Sequence, residues 1–151
     1  MRLGHTLSLL LFDLDGFKKL NDTKGHREGD VILRRIGSVL METIRKEVDS
    51  GYRYGGDEFT VLLPGADRMN AVRFAERVRR RVVATLGSAG ITLSMGVCEF
   101  NPRNRALQIV EKADEAMFLA KRTGGDRIAC YEEERDRPIL VESVEPLVDS
   151  P

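Results

Sequence analysis

The stretch RYGGDEF, residues 53–59, sets two glycines and two carboxylates between SGY and the apolar run TVLL. A glycine pair between two strand-like segments predicts a hairpin with its turn at Gly55-Gly56, because glycine enters positive φ without steric cost. The acids need a separate reason. Asp57 and Glu58 follow the turn directly, and like charges crowded at a strand end repel unless a cation or a metal-bound phosphate lies between them.

Upstream of the hairpin, LSLLLFD (residues 7–13) is a continuous apolar run that reads as a strand buried on both faces. A polar, glycine-punctuated connection follows, LDGFKKLNDTKGHREGD (residues 14–30). Asp30 is placed to cap the next helix, in which Ile32, Leu33, Ile36, Leu40 and Ile44 recur at helical spacing and which should end near Glu47. GYRY and EFTVLLP form the arms of the hairpin, and Pro64-Gly65 stops the second. Ala71, Ala75, Val78, Val82 and Leu86 mark a second helix, ITLSMGVCEF a further strand, Leu107, Val110, Met117 and Ala120 a third helix, and DRIACY a last short strand. The order β-α-β-β-α-β-α-β is an α+β pattern. It begins with the split β-α-β arrangement of the ferredoxin-like fold and adds one helix and one strand. Residues 1–131 form the domain; residues 132–151 are acidic and proline-bearing and read as a partly disordered tail, in which PILVESV can add an edge strand.

At 151 residues and 42% hydrophobic content, the chain suits one domain with a real core. Lys plus Arg and Asp plus Glu both number 24, so a broad basic footprint for a nucleic-acid polymer is not expected. Cys98 and Cys130 lie in strand-like segments without metal-ligand spacing and read as buried free thiols. LSLLLF is too short to span a bilayer, so a cytoplasmic segment is expected, with any membrane anchor elsewhere in the parent chain. RVRRRV (residues 77–82) reads as a solvated helix face.

Asp13 and Asp15 end the first strand, and Asp57 and Glu58 begin the return arm of the hairpin. In a β-α-β-β unit these strands are neighbours, so the carboxylates can converge. Converging carboxylates bind Mg²⁺, which takes one or two protein oxygens and fills its remaining positions with water or phosphate. The alternative is that they are capping and turn acids. Lys18 and Lys19 lie close to Asp13 in sequence, where phosphate charge would need an opposite sign. Asn21 and Asp30 offer an amide and a carboxylate suited to the Watson–Crick edge of guanine, with an Asx-turn and a helix cap as the local alternatives. His26 reads as a loop histidine.

Taken together, FDLDGFKKLNDTKGHREGD, RYGGDEF, ITLSMGV and ADEAMFLAKRTGGDR resemble the GGDEF domain of the diguanylate cyclase family, from about Leu7 to Tyr131. The resemblance implies a fold like a nucleotide-polymerase palm. It also implies a Mg²⁺-dependent reaction, with Mn²⁺ as an alternative, in which a homodimer condenses two GTP into cyclic di-GMP and releases two pyrophosphates. Carried onto this sequence, it makes Asp13, the backbone carbonyl of Leu14 and Asp57 metal ligands, with Asp57 also the base for the 3′-hydroxyl. Glu58 becomes a further active-site acid, Lys18 a stabiliser of phosphate charge, Asn21 and Asp30 guanine readers, and Lys121 a phosphate-binding lysine. Gly55 and Gly56 would leave room for the nucleotide.

Three departures accompany the resemblance. Gly125 stands where the family usually has an arginine, a contact that Arg122 or Arg127 would have to supply. The product-inhibition motif reads Lys46-Glu47-Val48-Asp49, with Arg45 and Arg77 as candidate supporting groups, and lysine lacks the bidentate fork of arginine. The family's usual opening is absent before Leu7, so the domain reads as N-terminally short. The competing class is a catalytically weak or silent module that binds GTP or cyclic di-GMP as a regulator. Altered nucleotide choice is opposed by Asp30.

Overall fold

In a computed structural model, residues 5–142 and Val144 are described. A six-stranded sheet has the order β2-β3-β1-β4-β5-β6. Its strands are β1 (Leu7–Asp15), β2 (Ser50–Gly55), β3 (Glu58–Pro64), β4 (Thr92–Glu99), β5 (Arg127–Glu132) and β6 (Arg137–Leu140). The helices are α1 (Phe17–Lys24), α2 (His26–Thr43), α3 (Arg68–Leu86) and α4 (Ala106–Arg122). The expected α+β architecture is present: β4-β1-β3-β2 is the ferredoxin-like core order. α4 and β5 extend it through a parallel β4–β5 pair.

β1 is central because its side chains are apolar on both faces, and strand geometry sends alternate residues to opposite sides. Leu10, Phe12 and Leu14 join the core under α2 and α3, while Leu9 and Leu11 join the one under α4. α2 turns Ile32, Leu33, Ile36, Val39 and Leu40 inward. α3 is capped by Asp67, whose side chain accepts from the Asn70 N–H at 2.8 Å. α4 lies unusually close to the sheet. A Cβ at Gly96 on β4 would stand 2.1 Å from the Ala113 carbonyl oxygen, so only glycine admits this approach.

Several expectations change. Phe17–Lys24, expected as part of an irregular connection, is helix α1, ended by a bond from the Gly25 N–H to the Asn21 carbonyl at 2.8 Å. α2 starts at His26, so Asp30 lies inside the helix and does not cap it. α2 stops at Thr43 rather than near Glu47. Ile44 turns extended, and Asp49 closes a competing turn by accepting from the Arg45 N–H at 2.8 Å. The hairpin turn proper is Gly56-Asp57: Gly56 has φ 49°, and Gly55 is the last residue of β2. The expected edge strand exists as β6, antiparallel to β5. The disorder expected of the tail lies, from residue 145 onward, outside the described residues.

Cys98 and Cys130 are buried free thiols, and burial pushes the Cys98 thiol up to about 12, which suppresses its thiolate. No helix among the described residues is long and apolar enough to cross a membrane.

Candidate active site

The β1–β3 register sets Asp13 directly opposite Glu58. The Leu14 N–H donates to the Asp57 carbonyl at 3.3 Å, which ties the hairpin turn to the end of β1. Asp13 is 5% exposed. One of its oxygens, Oδ2, accepts from the Lys121 ammonium, while Oδ1 is buried without a partner. An unsatisfied buried oxygen is costly in a folded protein, about 1–3 kcal/mol, and among the described residues Asp13 Oδ1 shares this state with Asn21 Oδ1, Thr60 Oγ1 and Glu132 Oε2.

Burial pushes the Asp13 carboxyl above its ordinary value; the Lys121 ammonium opposes the shift, and Asp57 and Asp15 add to it. Burial likewise raises Glu58, helped by the charges of Asp13, Asp114 and Asp57. For Lys121, burial favours the neutral amine, but Asp13, with Asp57 and Asp15 behind it, outweighs this and holds the ammonium above its usual range. The site is thus an excess of negative charge around one lysine. Its donors fit Mg²⁺: hard carboxylate oxygens at one strand end, one of them buried and unpartnered. Among the described residues no three or more His, Cys, Asp or Glu side chains are grouped to hold a metal ion. A cation here would therefore complete its shell with water or phosphate oxygens.

A cleft of about 700 Å³ opens beside these acids, lined among others by Leu14, Lys18, Lys19, Asp57, Lys121 and Gly125. The two lysines of α1 and the one of α4 give it the positive side that the acids lack. Asp15, grouped with Asp13 from sequence, behaves differently. Its carboxylate accepts from Thr92 Oγ1 at 2.8 Å, Ser94 Oγ at 2.7 Å and the Asp126 N–H at 2.9 Å, so it fastens the α4–β5 turn to the sheet. The turn-acid alternative thus fits Asp15, and Asp57 also lies within the hairpin turn.

Asn21 lies within α1, and its Oδ1 is buried without a partner, so no Asx-turn uses it. It sits against Gly29 of α2, where a Cβ would come within 1.9 Å of that oxygen. Asp30 is the next residue and exposed, and it lines a second cleft of about 440 Å³ with Leu33, Arg34, Tyr52 and Phe59. The two candidate base readers are thus brought to adjoining positions by the α1–α2 contact. Added Cβ atoms at Gly55 or Gly56 would meet open space.

The inhibitory candidates have different local settings. The side chain of Asp49 is fully buried in an ion pair with Arg45, whose NH2 group approaches Oδ1 at 2.6 Å and also donates to the Pro64 carbonyl at 2.7 Å. Lys46 is exposed, and Arg77 lies over the Phe74 ring at 5.7 Å. The arginines near Gly125 do not turn to the cleft: Arg127 Nε donates to the Gly125 carbonyl at 2.9 Å, and Arg122 lies over Phe118 at 5.9 Å. Within RVRRRV the expected solvated face is partly wrong, since Arg79 is held between Glu76 and Asp126. Sequence reasoning missed the anchoring role of Asp15, the space that Gly29 leaves for Asn21, and Asp114 as a neighbour of Glu58. Thr92 and Ser94 two residues apart on one face of β4, opposite Asp15 and Asp13, were the available signal for the first.

The family model described as "Diguanylate cyclase, GGDEF domain" matches residues 1–127. Diguanylate cyclase DosC of Escherichia coli is 39% identical over 136 residues, covering 86% of this chain and 29% of that protein. Diguanylate cyclase A of Treponema denticola is 36% identical over 129 residues, covering 82% of this chain and 34% of that one. The chain thus spans about a third or less of the length of these relatives. Among solved structures, the GGDEF domain of DgcB from Caulobacter crescentus in complex with c-di-GMP aligns with a TM-score of 0.77 at 31% identity, covering 84% of this chain and 78% of that one. The active GGEEF domain of a diguanylate cyclase from Vibrio cholerae aligns with a TM-score of 0.79 at 29% identity, covering 85% and 84%.

Proposed function

The chain belongs to the GGDEF-domain family of diguanylate cyclases, and from that premise we propose that it condenses two GTP into cyclic di-GMP with release of two pyrophosphates. The observation that carries this is the unpartnered, buried Oδ1 of Asp13, whose carboxylate pairs with Lys121 of the lysine-lined cleft and stands across the ladder from Glu58. Asp13 and Asp57, with the Leu14 carbonyl, would hold Mg²⁺, or Mn²⁺ in its place; the bound ion supplies charge neutralisation at the triphosphate and polarises its phosphorus. Lys18 and Lys121 stabilise phosphate charge from the cleft wall. Asn21 and Asp30 read guanine, the carboxylate accepting from N1–H and the exocyclic amine.

Asp57 accepts the proton of a 3′-hydroxyl as that oxygen attacks the α-phosphorus of the second GTP and pyrophosphate leaves. The same exchange, run in the opposite sense, closes the ring. One domain holds one GTP, so a homodimer sets the two substrates face to face and converts a bimolecular encounter into an oriented one. The segment works in the cytoplasm, where GTP is available.

A second reading, a silent module that binds GTP or cyclic di-GMP as a regulator, is favoured by one observation: neither Gly125 nor Arg122 nor Arg127 puts a guanidinium into the cleft. Incubation of the purified chain at high concentration with GTP and Mg²⁺, followed by mass-resolved chromatography, separates the two. Cyclic di-GMP that disappears with Asp57→Asn is the expected result. GTP binding with no product, even after fusion to a dimerising segment, would leave the silent module.

A further inference from the structure

We infer that Lys121 is the counter-ion of Asp13 when no metal is bound, so that one ammonium couples divalent-cation binding to nucleotide binding. The inference rests on the reading of Asp13 as a metal ligand and assigns Lys121 a second position besides its contact with phosphate.

The Asp13 side chain is 8% exposed and the Lys121 side chain 47% exposed, and the two form an ion pair across 108 residues of chain. Lys121 sits at the end of α4, whose backbone is fixed by its close approach to Gly96 and by the bond from the Gly125 N–H to the Ala120 carbonyl at 3.0 Å. Only the four-carbon stem is free to move. The same residue lines the cleft assigned to the triphosphate, so both partners lie within reach of one flexible side chain.

A divalent ion and an ammonium at one carboxylate repel each other, and in a partly buried site that repulsion is only weakly screened. A metal arriving alone must therefore displace Lys121 into a cleft whose carboxylates are Asp57, itself assigned to the metal, Asp15, already held by Thr92, Ser94 and the Asp126 N–H, and the solvent-exposed Asp22. A metal arriving with a triphosphate meets no such cost, because the phosphate oxygens receive the released ammonium. Metal and nucleotide then strengthen each other's binding by the same factor, as linkage requires.

The probe is Mn²⁺, titrated against the full chain and followed by the electron paramagnetic resonance of the free ion, with and without a non-hydrolysable GTP analogue. Lys121→Met and Lys121→Gln should bind Mn²⁺ alone roughly tenfold more tightly than the unaltered chain. They should also lose most of the enhancement that the analogue confers. Without metal both variants should melt at a lower temperature, since Asp13 is left unpaired, and Mn²⁺ should restore more of the loss than it adds to the unaltered chain. Variants that bind Mn²⁺ alone no more tightly than the unaltered chain overturn the inference, whether that chain's affinity is weak or strong. Asp13→Asn separates the two levels. If it abolishes Mn²⁺ binding while the lysine variants change nothing, the counter-ion role alone fails; if it leaves Mn²⁺ binding intact, the metal-ligand reading fails with it.

Discussion

Asp13 and Glu58 stand opposite one another in the β1–β3 ladder, two carboxylates at the same level of adjacent strands. Cross-strand like charges destabilise a sheet, and here burial adds to the cost, raising the affinity of Glu58 for its proton. An acid that binds its proton more tightly folded than unfolded favours folding while protonated, and stability falls as pH rises through its raised folded value. Glu58→Gln should therefore melt about 1–3 °C above the unaltered chain at neutral pH. The difference should close below about pH 4, where both forms are neutral. Thermal melts across that range check it, and a Glu58→Gln curve parallel to the unaltered one at every pH would remove the charge argument. Under the proposed function the same variant should make no cyclic di-GMP.

The Arg45–Asp49 pair is expected to be structural. Asp49 is fully buried at its side chain, while Arg45 is half exposed and also holds the Pro64 carbonyl at the end of β3. Arg45→Met should cost about 1–3 kcal/mol, below the full penalty of orphaning a buried charge because the arginine side is solvated. Lys46→Met, at an exposed neighbour, should be near neutral. Urea denaturation of the two variants gives the comparison, and equal midpoints would show that the latch contributes nothing. Cyclic di-GMP titration of Lys46→Met should likewise show no change, because the Asp49 carboxylate is buried in its pair with Arg45.

These two cases show what was legible from sequence. The hairpin, the buried strand and the amphipathic helices could be read because period and glycine placement are local signals, and they sufficed to place Asp13 near Glu58. α1 was not legible: its polar sequence buries only Leu20, so no hydrophobic stripe announced it. Once α1 exists, α2 begins four residues before Asp30, and the capping role falls away. The setting of the inhibitory candidates was hidden for another reason. Lys46-x-x-Asp49 records positions, whereas Arg45 reaches Asp49 through a turn whose geometry no spacing specifies. Lys121 could be matched to a phosphate role by resemblance, but its pairing with Asp13 depends on how α4 lies over the sheet.

Gly29 should be a specificity position through Asn21. An added Cβ would press within 1.9 Å of Asn21 Oδ1 and 3.3 Å of the Phe17 ring, so the amide must swing away. Alanine favours the helix by up to about 1 kcal/mol over glycine, which offsets part of the crowding. Gly29→Ala should therefore fold with little change in stability yet bind GTP roughly tenfold more weakly. Isothermal titration beside a urea curve tests both halves. Unchanged GTP affinity would take Asn21 out of base recognition.

Gly125 is expected to resist replacement by the arginine that the family resemblance implies. Its φ is 71°, a left-handed value, and an added Cβ would lie 2.9 Å from Asp15 Oδ2. That carboxylate cannot easily retreat, since Thr92, Ser94 and the Asp126 N–H all hold it. A side chain at this φ costs about 1–2 kcal/mol before any crowding is counted. Gly125→Ala should lose at least that much in urea denaturation, and Gly125→Arg should lose as much without binding GTP more tightly. The cation would enter the cleft only if the Asp15 anchorage opened. A Gly125→Arg variant of unchanged stability and higher GTP affinity would mean that the turn adapts, and that Asp15 yields its hydrogen bonds to the arginine instead of enforcing glycine.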